Sequence, residues 1–435
     1  MGSFEKRYKL TKKVMNLQYY LSKKIFSERK SGSALAKTSR VIATVSVAVS
    51  IAVIVAAIAI SQGFRREIGD KCAGFGGDIW ISAAGTPLYN TDYPVFVGKR
   101  IVNKIKGLGF VRSVYPVAYT QGLIKMPDEV EGIVFKGIDS AYNFSFLEGH
   151  IVEGKLPLYG GDETSNDVVI SAVLSKALGL SVGDKIETYF VRDDIKVRRF
   201  VVTAIYSTGM DDMDRSLVYG DIRHARKING WGAEEVSGYE LITEKSGMGE
   251  GAVYKMGVED CIFLENGDVP EEELSDSIIV NTSEELFYNL YDWLNLIDLN
   301  VLIILILMIA VSGFNMVSGV LILIFERMSH IGLLKALGMR NGAIVKIFMF
   351  SAARIILAGL LVGNVVALLF CAVQKFYRII PLDSSNYFVG SVPISFAWGW
   401  IIGVNLILLV AIMIILFMPL HFIQKVSPAK TLVSK

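Results

Sequence analysis

Few residues in this chain are spaced for covalent or metal chemistry. His150, His224, His330 and His421 are scattered along 435 residues, and Cys72, Cys261 and Cys371 are equally dispersed. Neither type gathers at the short intervals of a tetrahedral metal site, so no metal is expected, and each histidine is assigned to a surface or an interface. The nearest approach to a phosphate-binding loop is SGSALAKT, which places Ser31 and Ala36 where the two glycines belong. Side chains there keep backbone amides off a phosphate, and no strand precedes them. The chain is therefore expected to have no catalytic residue, no cofactor of its own and no ATP hydrolysis. Two acidic runs, Glu271-Glu272-Glu273 and Asp211-Asp212-Met213-Asp214, could attract a cation, but such runs are mostly solvated loops. Cys72 and Cys261 fall near the two ends of one charged region and leave a disulfide open there, while Cys371 lies in an apolar run.

The informative spacing is apolar. In ERMSHIGLLKALG, Ile331, Leu334 and Leu337 stand near helical intervals opposite Lys335, and a glycine suited to a helix C-cap follows. This predicts a short amphipathic helix between two very apolar segments. Hydrophobic content of 52% and a mean hydropathy of +0.46 exclude an ordinary soluble protein of this length. Runs poor in charge cover residues 41–60, 301–325, 347–373 and 398–420. About 20 apolar residues cross roughly 30 Å of hydrocarbon with every backbone group paired inside the helix, so all four qualify as spans. The expected order is a basic, amphipathic N-terminal segment (1–40), span one (41–62), a large domain (63–296), span two (297–325), the short helix (326–343), span three (344–373), a short loop (374–396), span four (397–420) and a tail (421–435).

Charge sets the orientation. Residues 1–40 hold 11 Lys and Arg against two acids, whereas residues 61–298 hold 23 against 38. The excess of basic residues marks the cytoplasmic side, so both termini and the 326–343 helix are expected inside and the large domain outside. The first run begins some forty residues in and is followed by Gly63-Phe64-Arg65-Arg66, which suits a signal anchor better than a cleaved leader. Residues 15–27 mix apolar and basic positions as an interfacial helix does.

The outer domain carries short β-branched and aromatic runs at 78–82, 111–119, 132–138, 168–171 and 200–206, with helical pieces at 171–180 and 284–296, the latter continuing into span two. Its 234 residues can bury a core, and the interleaving suggests two α+β subdomains. The fold class is thus a membrane α-helical protein of four transmembrane helices with a large extracytoplasmic α+β domain inserted between helices one and two. No nucleic-acid partner is expected.

With these elements in place, the segment from Glu326 to Gly338 resembles the cytoplasmic coupling segment of FtsX-like ABC permeases, the group that includes the LolC/LolE and MacB families. Further segments are similar in the same order: SQGFRREIGDK from Ser61 and GFGGDI from Gly74, then VVIS at Val168 and LGLSVGDK at Leu178. RFVVTAIYSTGMDDMD from Arg199, LDSSNYFVGSVP from Leu382 and SPAKTL from Ser427 complete the series. The likeness is nearest to the LolC/LolE lipoprotein-releasing permeases of the MacB superfamily.

The resemblance implies an inner-membrane permease subunit, paired with a second copy or a paralogue, that moves a periplasmic domain when cytoplasmic ABC ATPase subunits bind and hydrolyse ATP with Mg. It implies lipoprotein cargo drawn from membrane lipids and a periplasmic carrier as recipient; a MacB-like efflux pump or an FtsX-like regulator of a cell-wall hydrolase are the alternatives. Glu326, Arg327, His330, Ile331, Leu334, Lys335, Leu337 and Gly338 are then the expected ATPase-coupling residues. Ser312, Gly313, Phe314 and Asn315 are expected to interrupt span two and to pack or line a cavity, and Gly359 and Gly363 to admit a neighbouring helix. Arg354 can snorkel to the interface, and Trp398 and Trp400 anchor it. One departure stands out. Where LolC-type subunits carry a protruding hook, only Val191, Arg192, Asp193, Asp194, Ile195 and Lys196 lie between two predicted strands.

Overall fold

The computed structural model describes residues 34–86, 88–89, 92–127, 129–192, 194–244, 250–263 and 277–421, with side chains from 38 to 419. The interfacial helix at 15–27, Glu271 to Glu273, Asp193 and the SPAKTL tail lie outside them. The described chain forms two compact units. One is the membrane unit, Met1–Phe64, Leu294–Ile379 and Pro393–Lys435; the other, the head, is Arg65–Trp293 with Ile380–Val392.

Among the described residues, four helices are long and apolar enough to cross a membrane: Thr38–Gly76, Tyr288–Glu326, Asn341–Tyr377 and Trp398–Pro419. Each of the first three outlasts its apolar stretch. The first continues without a break to Gly76, well beyond residue 62, and ends where Gly77 takes φ +78. Ile51, Ile54, Val55, Ile347, Ile356 and Leu408 are among the side chains that fill the membrane unit's core.

The head is built on ten strands, β1 (Ile79–Ala83), β2 (Val111–Lys125), β3 (Val130–Ile138), β4 (Ile151–Gly154), β5 (Asp167–Ser171), β6 (Lys185–Val191), β7 (Ile195–Tyr206), β8 (Leu217–Asp221), β9 (Gly238–Thr243) and β10 (Ile278–Thr282). Their order is β10-β1-β9-β2-β3-β8-β5-β7-β4, with β6 pairing β2 and β7. The two subdomains expected from the sequence are not independent, because the fifteen-residue β2 belongs to both. Its first half pairs β9 as far as Val117–Gly238, and its second half pairs β3 from Ala118–Gly137 onward. One hydrophobic cluster runs through both halves, from Ile79 and Val280 to Phe190 and Phe200. Pro116, which donates no hydrogen bond, falls where the β3 pairing has not yet begun.

At the heart of the head sits a buried ion pair. Lys136 of β3 and Glu240 of β9 are 0% and 1% exposed, with Nζ and Oε1 2.6 Å apart. The ammonium also donates to the Phe75 carbonyl at 2.7 Å, in the last turn of the first span helix, and to the Tyr142 hydroxyl at 3.3 Å. Tyr119 of β2 donates to Glu240 at 3.3 Å, and the rings of Tyr142 and Tyr219 face the cation at 5.3 and 5.4 Å. A cation suits this position because the C-terminal carbonyls of a helix carry partial negative charge. Burial pulls the Lys136 ammonium below its ordinary range and pushes the Glu240 carboxyl above its own, and each charge opposes that trend in the other.

Two assignments from sequence are corrected here. Asp214 is no solvated loop residue: it is fully buried and accepts the Thr208 amide at 2.9 Å and the Thr208 hydroxyl at 2.8 Å. His224 is no surface histidine either. It is buried between Phe135 and Phe200, and its Nε2 lies 3.0 Å from the Ser165 carbonyl, to which a neutral ring donates. No disulfide joins the three cysteines, of which Cys72 and Cys371 are buried and Cys261 is half-buried. No cluster of potential metal ligands occurs among the described residues.

Removing one partner of the buried pair leaves an uncompensated charge, at about 3–5 kcal/mol. Lys136→Met is accordingly expected to destabilise the purified full chain by that amount in denaturant titration followed by tryptophan fluorescence, with Glu240→Gln in the same chain recovering part of the loss. Burial also lowers the pKa of His224 from its ordinary 6.5. The unfolded chain then binds the extra proton first, so this contribution to stability is complete above pH 6.5 and declines as the pH falls below it. The melting temperature should drop more between pH 7 and 5.5 in the wild type than in His224→Gln.

Candidate coupling segment and membrane groove

Between spans two and three the chain makes one short helix, Met328–Ala336, closed by a Schellman turn. The Gly338 amide donates to the Lys335 carbonyl at 2.9 Å and the Met339 amide to Leu334 at 3.0 Å. Gly338 takes φ +82, which explains a glycine there, and Leu334 and Met339 both pack on the bundle. The predicted coupling set divides in two. Ile331 is 1% exposed and Arg327 is buried, so both serve the bundle, while Glu326, Leu334 and Lys335 are half-buried. His330, Leu337 and Gly338 face outward, Leu337 at 76% exposure, together with Leu333, which the sequence reasoning did not select.

Small residues bring the spans together. A Cβ on Gly359 would stand 2.8 Å from Val47 Cβ and 2.9 Å from the Thr44 carbonyl, and one on Gly363 would strike the Ala48 carbonyl and Ile51. The first span thus lies directly on the glycine stripe of the third. Spans three and four are joined by two amides that sequence reasoning passed over. Asn364 Nδ2 donates to Asn405 Oδ1 at 2.7 Å and Asn405 Nδ2 to Asn364 Oδ1 at 3.1 Å, while each also donates to a carbonyl one turn back in its own helix. An amide in a predicted span was the signal that could have found them.

The second span helix runs unbroken through Ser312, Gly313, Phe314 and Asn315, so the expected interruption does not occur. These residues separate by face. Ser312 is buried, a Cβ on Gly313 would meet Ile415, and Phe314 is 75% exposed. Asn315 lines a groove of about 390 Å³ between the first and second spans. Its walls are apolar, with Val41, Val45, Val49, Met308 and Val311, and its polar atoms come from Ser46, Ser50 and Asn315. The Asn315 amide donates to the Ser46 hydroxyl at 2.7 Å, and Ser50 donates to the Met308 carbonyl at 3.3 Å. Such a groove offers hydrocarbon contact along its length and a few hydrogen-bonding atoms at fixed points.

Two family models match the chain, one on each side of residues 244–301. The MacB-like periplasmic core domain matches residues 41–243, and the FtsX-like permease C-terminal domain matches residues 302–428. This chain carries both a MacB-like periplasmic core domain and an FtsX-like permease domain. It is 22% identical over 401 residues to a lipoprotein-releasing system transmembrane protein LolC of Xylella fastidiosa, covering 89% of this chain and 91% of that protein. It is also 22% identical to the LolC protein of Neisseria meningitidis, over 89% of this chain and 92% of the relative. Among solved structures, the periplasmic region of MacB from Actinobacillus actinomycetemcomitans aligns with 50% of this chain and 94% of its own at 14% identity and a TM-score of 0.34. The two domains and the LolC relatives support an ABC transporter permease of the LolC/MacB type.

In this permease the hook position is a tight hairpin. Val191 pairs Ile195 at its end. Its cations are engaged locally: Arg192 donates to the Asn229 carbonyl at 2.9 Å and to Asp92 at 2.8 Å, and Lys196 donates to the Ile228 carbonyl at 2.9 Å. Both thereby cap the end of the helix Ile222–Asn229. Asp194 sits in the turn, where its carbonyl accepts the Arg192 amide, and Val191 and Ile195 remain 60% and 68% exposed.

The glycine contact yields a clear contrast between two sites in the permease's spans. Gly363→Leu forces the first span away and should lower stability in detergent by about 1–3 kcal/mol or more. Gly403→Leu should leave the melting temperature nearly unchanged, because a Cβ there meets nothing within 4 Å.

Proposed function

We propose that this permease extracts lipoproteins from the outer leaflet of the inner membrane, driven by ABC ATPase subunits that bind ATP and Mg, and passes them to a periplasmic carrier. The observation that carries this reading is the groove between spans one and two. Acyl chains match its apolar walls, and Ser46, Ser50 and Asn315 are able to meet the polar linkage at their head. Similarity to LolC proteins along nine-tenths of the chain supports the same cargo class.

Each acyl CH₂ leaving the bilayer costs about 0.8 kcal/mol, so two or three chains lie far beyond thermal reach. External work is therefore required, and the segment after span two is the place to receive it. His330, Leu333 and Leu337 present an outward apolar edge for the ATPase, while Ile331 holds the same helix to the bundle. The second span helix, with only 6% of its most apolar stretch buried, against 44% for the first, leaves a long flank for a second copy or a paralogue. The excess of basic residues in the N-terminal segment and the tail supports cytoplasmic termini.

The decisive experiment purifies the permease with whatever ATPase accompanies it from native membrane, reconstitutes both in nanodiscs with a triacylated lipoprotein, and measures transfer to a soluble acceptor. Release that requires ATP supports the proposal; ATP hydrolysis with no release, together with co-purification of a cell-wall hydrolase or an outer-membrane duct, points to the FtsX-like or MacB-like alternative. Leu337→Asp should reduce ATPase association at least tenfold with little change in melting temperature, since the side chain touches little of its own chain.

A further inference from the structure

Residues 380–392, the link between spans three and four, group with the head and not with the spans they connect. The link is closed on itself. Pro381 bridges Ser391, the Leu382 amide donates to the Gly390 carbonyl at 3.0 Å, and the Asp383 carboxylate caps a single turn, Ser384–Tyr387. At the end of that turn Phe388 takes φ +60, a left-handed conformation that a side chain makes unfavourable. Arg378 and Phe388 are the described non-glycine residues with positive φ, and each closes a helix as its left-handed C-cap. Lys71, 5% exposed, donates from Nζ to the Phe388 carbonyl at 2.8 Å, and the Trp293 ring meets the Phe388 ring edge-on at 6.1 Å. Beside this point Ser385 donates to the Asp211 carboxylate at 2.8 Å, and Val389 is buried.

The chain enters or leaves the head at four places, after Phe64, Trp293, Ile379 and Val392. Lys71 belongs to the helix that follows the first, Trp293 stands at the second, and Phe388 lies between the third and fourth. We propose that Phe388 is a clasp: its left-handed backbone aims the carbonyl at the helix that carries Lys71 and the ring at the helix that carries Trp293, so that movement at one of these crossings is passed to the others. It is a positioning residue, not a binding one. Closure of the turn Ser384–Tyr387 puts Phe388 in this conformation, and Lys71 and Trp293 hold the carbonyl and the ring that it presents. A glycine would relax the backbone and abolish the ring contact, which is why the position is informative.

The role in transmission rests on the lipoprotein-release reading, but the clasp itself does not, and the two are tested separately. Full-length permease in nanodiscs is compared by hydrogen–deuterium exchange as wild type, Phe388→Gly, Lys71→Met and Phe388→Tyr. The clasp predicts that amides of 380–392 exchange at least tenfold faster in Phe388→Gly and Lys71→Met, with β2 and β3 unchanged and Phe388→Tyr like wild type. Unaltered protection of 380–392 in both variants overturns it, whatever the cargo. In the reconstituted complex, Phe388→Gly should hydrolyse ATP within twofold of wild type yet release at least tenfold less lipoprotein per ATP. An unchanged ratio, with the link loosened, removes the transmission role. If wild type itself releases no lipoprotein, the functional reading falls while the exchange result still decides the clasp.

Discussion

Lys136 solves a problem that the bilayer creates. A spanning helix must satisfy its backbone internally, and the first helix of this chain carries that rule far past the apolar stretch, to Gly76 inside a protein core. There its last carbonyls have no water to bond. The ammonium of Lys136 reaches the Phe75 carbonyl, Glu240 neutralises the ammonium, and tyrosines from β2 and β8 complete the shell. Because Lys136, Glu240, Tyr119 and Tyr219 come from four strands, the helix end is satisfied only when β2, β3, β8 and β9 are all in register. The fold of the head and the termination of the membrane helix are therefore one event energetically, and a fault in either exposes a charge to an apolar interior.

Inside the membrane the driving forces differ, since lipid tails are as apolar as leucine and give no reason for helices to associate. The spans compensate with close approach and with hydrogen bonds. Gly359 and Gly363 let the first helix come within van der Waals reach of the third, and the reciprocal Asn364–Asn405 amides fix the third against the fourth. The second helix shares little of this packing, meeting the first through Ser39, Ser46 and Ser50 and through Gly319. Weak packing on that side is what opens the groove. The same hydroxyls that join the helices also give the groove its polar points.

How much of this was legible follows from the range of the interactions. The spans, the strands β1, β5 and β7 and the helix capped by Ser171 are written in local periodicity and capping, and the sequence shows them. Gly338 likewise announces its left-handed turn. Lys136 and Glu240 were not legible, because a polar residue every second position in a strand normally faces water; Asp214 and His224 sit in short helices of six and eight residues, and only long-range topology shows which face of each is buried. The coupling helix was half legible: its existence follows from spacing, but nine residues between two core-forming helices cannot show which apolar side faces inward, so Ile331 was expected outside and Leu333 was missed. The hook residues are also clearer in three dimensions, where Arg192 and Lys196 prove to be caps for a neighbouring helix.

These features determine where the permease can yield. A close-packed interior does not deform continuously; it keeps its arrangement or exchanges it for another. With β2 shared by both halves of the sheet and one cluster running through them, the head has no internal seam at which half could move against half. The charge buried at its centre penalises any partial opening further, because separating β3 from β9 would strand Lys136 and Glu240 without partners. The head therefore keeps its register as a whole, while the link at 380–392 is held to it by lighter contacts, one hydrogen bond from Lys71 to the Phe388 carbonyl and one ring edge from Trp293, so that the link can loosen without disturbing the strands.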